Sequence, residues 1–210
     1  MIATLTGLGL SSAAGLNAYI PLLVVGLLAR FTDLVPLGST WSWLEHPVTL
    51  ICLTVLLVVE LVADKVPALD SLNDVVQTVI RPSSGGITFG AGAASVELSD
   101  LSVTASGAAA GDGVDWSSVL AGVAVALVLH VLKSVSRPVV NTLTGGVGGP
   151  VASVVEDVVS VVTAILAVLI PILILVVFPL LVLTGVWAVR RRRRLRARRR
   201  EARDAASDAV

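Results

Sequence analysis

The stretch ELVADKVPALDSLNDVVQTVIRP, residues 60–82, decides how the chain is read. It starts at the end of an apolar run long enough to cross a bilayer. It then sets Glu60, Asp64, Lys65, Asp70, Asp74 and Arg81 where hydrocarbon or interface is expected. Ionisable groups at that depth are costly, and they face a protein interior, a partner charge or water. A degenerate copy, LHVLKSVSRPVVNTLTGG, fills residues 129–146, with Pro138 matching Pro67 at a separation of 71 residues. On that alignment Asp70 matches Asn141, Ser71 Thr142, Leu72 Leu143 and Asn73 Thr144. Both copies close an apolar span, so an internal repeat is expected.

Outward from these motifs the composition sets the class. Of 210 residues, 55% are hydrophobic, and the long apolar runs indicate one membrane domain and not a soluble globule. The formal charge of zero hides an asymmetry. Ten of the 15 basic residues lie between Arg190 and Arg203 with three acids, about +7, against about −7 for the remaining chain. Cys52 is the single cysteine, so no intrachain disulfide can form. Usage rich in Ala, Val, Gly and Arg points to a bacterial source. The N-terminus lacks a basic n-region, so no cleaved signal peptide is expected.

Residues 1–30 would measure about 45 Å as one helix, longer than a ~30 Å hydrocarbon core. A tilt or break near Gly15 or Asn17 is therefore expected, with Pro21 a tolerated kink. Asn17 either caps a segment or bonds across helices, or it lines a cavity with Tyr19. Trp41 and Trp43 fit an aromatic belt. A second span covers 48–63, and Pro67 prevents its simple continuation. Residues 70–81 read as a helix-like segment ended by Arg81 and Pro82, either lying in the interface or entering and leaving the membrane from one side, in which case 85–95 forms the second arm of a re-entrant hairpin. Residues 97–115 read as an acidic surface loop. A third span covers 116–132. The run 151–187 reads as an interfacial start at 151–160 and a span near 161–187, with kinks at Pro171 and Pro179. The arginines after the last span place the C-terminus in the cytoplasm.

Two constellations carry the candidate chemistry. Glu60 and Asp64, four apart on one helix face, lead a carboxylate group that binds a cation or relays protons, or else marks a solvated helix end. His130, Lys133, Arg137 and Asn141 form a stripe if the helix survives Pro138. With Arg81 that stripe either holds an anion or simply flanks a span. Pairing of the cationic stripe with the acidic one is a third reading, a buried charge network. No catalytic pattern accompanies His46 or His130, no Rossmann or Walker loop occurs, and metal-ligand spacing is absent, so no enzyme, cofactor or metal is expected. The Arg-rich tail suits anionic headgroups, not nucleic acid.

With SSAAGLNAYIPLLVVGLLARF (11–31), ELVADKVPALDSLNDVVQTVIRPSSG (60–85) and HVLKSVSRPVVNTLTGGVGGPVASVVEDV (130–158) in view, the chain resembles a bacterial membrane family, the domain of unknown function numbered 4126. The resemblance covers about 5–185 and implies a multi-pass membrane protein without lending it an activity.

The expectation is an all-α integral membrane protein of about four transmembrane helices plus re-entrant or interfacial helices, arranged as an inverted repeat. The membrane domain is 1–189, with repeat 1 about 1–84 and repeat 2 about 85–170, followed by a basic cytoplasmic tail, 190–210. It reads as a homo-oligomeric transporter or channel of the plasma membrane, its path lined by Glu60, Asp64, Lys65, Asp70, Asn73, Arg81, His130, Lys133, Arg137 and Asn141. The alternative is a lipid-binding or membrane-assembly protein.

Overall fold

The computed structural model describes residues 1–64, 67–104, 114–143 and 148–207, without the side chains of 67–72, 74, 100–104, 136–143 and much of the arginine-rich end. The described residues are all-helical: α1 (Ile2–Leu16), α2 (Tyr19–Phe31), α3 (Pro47–Ala63), α4 (Pro67–Thr104), α5 (Trp116–Leu143), α6 (Gly148–Leu169) and α7 (Ile174–Ser207). Short 3-10 turns at Ser42–Glu45 and Pro171–Leu173 precede α3 and α7. Three stretches are long and apolar enough to cross a bilayer, Trp116–Val135, Gly148–Leu169 and Pro171–Arg191, while α1, α2 and α3 are shorter apolar helices. The protein is an all-α membrane protein.

Helix α1 sits at the centre, packed against α4, α5 and α6. Its early small residues are what let its neighbours in. Ser11, Ser12, Ala13 and Ala14 are fully buried, and a Cβ on Gly15 would lie 2.8 Å from the Ala126 carbonyl oxygen of α5. The closest approach joins α4 to α5: a Cβ on Gly122 would stand 2.2 Å from the Gly85 oxygen, so only glycine permits that crossing. Lipid-embedded helices associate through such backbone proximity because hydrocarbon offers no hydrophobic drive between them.

The break in the first apolar run falls at Asn17 and Ala18. Asn17 Oδ1 accepts from the free N–H groups of Tyr19 (3.0 Å) and Ile20 (3.2 Å), starting α2. Pro21 then lies in the first turn of α2, where its missing N–H costs nothing, so it is not a kink. Helix α3 starts at Pro47, with His46 Nδ1 accepting from Val48 N, and it stops at Ala63 before Pro67 as expected.

Several expectations are corrected. The hairpin over 70–95 does not form: α4 is one helix of 38 residues passing through Pro82. The glycines of that expected second arm instead take the close packing of α1 and α5. The same helix runs to Thr104 through the start of the expected loop, while residues 105–113 lie outside the described residues. Residues 148–169 form one helix of spanning length, so 151–160 is not a separate interfacial start; the chain breaks at Pro171 but not at Pro179. Trp41 is buried, meeting Gly90 of α4, whereas Trp43 is exposed and suits a belt. Helix α5 does survive Pro138 and ends at Leu143.

Candidate functional site

The carboxylates at the end of α3 and the cations of α4 and α5 meet inside the bundle. Glu60 is 2% exposed and Arg81 0%, and Arg81 Nη2 donates to Glu60 Oε1 at 2.9 Å. Arg81 Nη1 lies 3.5 Å from His130 Nδ1, and Thr78 Oγ1 lies 3.1 Å from His130 Nε2. A guanidinium only donates, so in this contact Nδ1 accepts and Nε2 carries the proton toward Thr78. The solvated-end reading of Glu60 is excluded by its burial.

One turn further along, Asp64 Oδ1 accepts from Asn73 Nδ2 at 2.7 Å and Oδ2 from Ser153 Oγ at 3.3 Å. Lys133 Nζ stands 3.9 Å from Asp64 Oδ2 and 2.8 Å from Glu156 Oε2, and it donates to the Leu16 carbonyl at 2.7 Å. Leu16 is the last residue of α1, where unbonded carbonyls collect partial negative charge. The Lys133 ammonium therefore bridges two acids and a helix end. Beside it, Asn17 Nδ2 donates to Asp157 Oδ1 at 2.9 Å. Asn17 thus both caps α2 and bonds across helices. Ser160 Oγ donates to the Ala13 carbonyl at 3.0 Å, and Ser84 Oγ to that of Ala18. Side chains from α4, α5 and α6 thus serve the backbone at the break.

Six of the sequence-chosen residues, Glu60, Asp64, Asn73, Arg81, His130 and Lys133, fall in this region, five of them buried and Asn73 partly so. Lys65 and the side chains of Asp70, Arg137 and Asn141 lie outside the described residues. The reading that pairs acidic with cationic stripes describes the geometry: Lys133 reaches from α5 to Asp64, and Arg81 to Glu60. Glu156, Asp157, Asn17, Gln77 and Ser153 were absent from the candidate set. Glu156 and Asp157 had a signal, being the acids of an otherwise apolar run, and Gln77 precedes Arg81 by one helical turn.

A cavity of about 220 Å³ opens beside the Lys133–Glu156 pair, walled mainly by Leu16, Leu129, Leu132, Val155 and Leu181. Among the described residues no group of three or more His, Cys, Asp or Glu is placed to hold a metal ion.

The family model described as Domain of unknown function (DUF4126) matches residues 4–191. No curated protein and no solved structure matches the chain.

Proposed function

We propose that this chain, which belongs to the DUF4126 family, is a small transporter or channel whose path passes through the charged cluster at the α1–α2 break. What carries the reading is the Lys133 ammonium, buried among Asp64, Glu156 and the Leu16 carbonyl at the end of a broken helix. Broken helices whose ends meet charged groups at membrane depth are a recurring way to bind and pass ions. A purely structural core has a cheaper alternative, since a buried ion pair is often no more stable than apolar residues of similar volume. On this reading Glu60, Arg81 and His130 line the path with Lys133, and no catalytic chemistry is involved. The protein works as a homo-oligomer, as two related halves of opposite orientation, with its C-terminus in the cytoplasm.

A second reading, a lipid-binding or assembly protein, draws on the apolar cavity beside Lys133 and Glu156, which suits an acyl chain with its headgroup near the pair. Cysteine accessibility separates the two. After Cys52 is replaced, single cysteines over 58–82 and 128–146 are tested with a membrane-impermeant thiol reagent. Labelling deep in the bilayer on one face of each stretch supports the path. Labelling confined to the ends of the stretches, with phospholipid retained on purification, supports the lipid reading.

A further inference from the structure

Three polar atoms in the cluster are buried without a hydrogen-bond partner: Glu60 Oε2, Gln77 Oε1 and Arg81 Nε. They belong together. Gln77 and Arg81 are one turn apart on α4, and Arg81 holds Glu60 through the other carboxylate oxygen. The Gln77 amide lies against the Tyr19 hydroxyl, which in turn lies within the field of Glu60 and Arg81. Each such orphan is costly in a dry interior, the more so for charged groups. Buried orphans of this kind are ordinarily met by ordered water with two to four polar partners. Here the complement is specific. Two acceptors and one donor fit a molecule that gives two O–H groups and takes one N–H, which is water. A metal cation fits poorly, since the Arg81 guanidinium occupies the same corner.

Building on the reading of this cluster as a membrane path, we propose that water bound between Glu60, Gln77 and Arg81 makes the protein a proton conductor, with Glu60 as the group that takes up and releases the proton. In the step, a hydronium ion breaks one O–H bond and Glu60 Oε2 forms one, leaving water and a neutral carboxyl. Arg81 stays charged throughout, and the reverse transfer to the next water restores the ion pair. Gln77 is a positioning residue that orients the water. Asp64 lies one turn from Glu60 on the α3 side, and Lys133 links it to Glu156, which is partly exposed and borders the cavity of about 220 Å³, so polar groups continue outward from Glu60. The charge balance agrees. Among the described side chains four carboxyls (Glu60, Asp64, Glu156, Asp157) face two fixed cations (Arg81, Lys133), a surplus that favours protons over anions. The other titratable groups here are His130 on α5, against Arg81, and Tyr19 on α2, against Gln77.

The test is the full chain in liposomes of phosphatidylethanolamine and phosphatidylglycerol, with a pH-sensitive dye inside and a potassium diffusion potential as drive. Wild type is expected to acidify the lumen faster than protein-free vesicles, and more slowly in heavy water. Glu60→Gln should abolish that flux. Gln77→Leu should reduce it about tenfold, the effect of losing roughly 1.4 kcal/mol at the water. If either variant fails to fold, judged by size-exclusion elution and thermal melting, the wild-type flux and its heavy-water dependence decide. Wild-type vesicles no leakier to protons than empty ones overturn the proposal. So does a folded Gln77→Leu or Glu60→Gln protein with wild-type flux, or a flux carried by sodium or potassium alone. Deep cysteine labelling without proton flux would leave the membrane path standing and remove only this inference. Surface-confined labelling without flux would remove both.

Discussion

Two breaks among the described apolar helices are made in opposite ways. Between α1 and α2 the break is polar and buried: Asn17 caps one end, Lys133 and Ser160 serve carbonyls of the other, and Ser84 serves that of Ala18 in the break itself. Between α6 and α7 the break is made by Pro171, sits among exposed Ile170, Ile172 and Leu173, and bonds only to its own backbone, Ile170 N to Leu166 O and Leu173 N to Ile170 O. The second break takes no side-chain donor from other helices, because a proline makes it locally. The first exists only while three other helices supply donors. A break that must be maintained by distant side chains is a place where conformation and charge are coupled. A proline joint only redirects the chain.

Substitutions sharpen this contrast. Lys133→Met should have the largest effect, about 3–5 kcal/mol of destabilisation in chemical denaturation in detergent micelles, because it leaves Asp64, Glu156 and the Leu16 carbonyl without their shared cation. A change below about 1 kcal/mol would mean that the polar break is as self-sufficient as the proline one. Asn17→Ala should cost about 1–3 kcal/mol in the same measurement, losing both the start of α2 and the partner of Asp157. Pro171→Ala should stay within about 1 kcal/mol of wild type, since it only returns freedom to a local joint.

The smallest effect is at Asp115. Its carboxylate accepts from the hydroxyls and N–H groups of Ser117 and Ser118 at the start of α5, and these hold it down to about 2 from the ordinary 3.8. A folded value below the unfolded one means that this contribution is complete above about pH 4 and fades as pH falls toward 2. Asp115→Asn should flatten that part of the helicity-versus-pH curve read by circular dichroism. An unchanged curve would show that the cap is idle.

The charged centre was legible because its residues announce themselves: Glu60, Asp64, Arg81 and Lys133 sit in apolar surroundings where charge is expensive. The α1–α2 break was legible for the same reason, through length and Asn17. What sequence order could not supply was which glycines turn the chain and which let helices touch. Gly85, Gly86 and Gly90 read as the arm of a hairpin, yet their missing Cβ atoms make room for α5 and for Trp41. Pro82 misled for a related reason. In a packed bundle one lost backbone bond does not end a helix whose faces are held by neighbours. Glu156 and Asp157 were given no role, since their partners lie 23 and 140 residues away at Lys133 and Asn17.

Helix α7 continues without interruption from its apolar part to Ser207. The 17 residues from 191 to 207 would then extend about 26 Å as a rod, and not trail as a coil. Ions at physiological strength screen charge beyond about 8 Å. A rod standing upright therefore holds its outer arginines beyond the electrical reach of the headgroups, whereas one lying flat spends all of them there. The tilt of such a rod would set how many of its arginines a charged surface could feel.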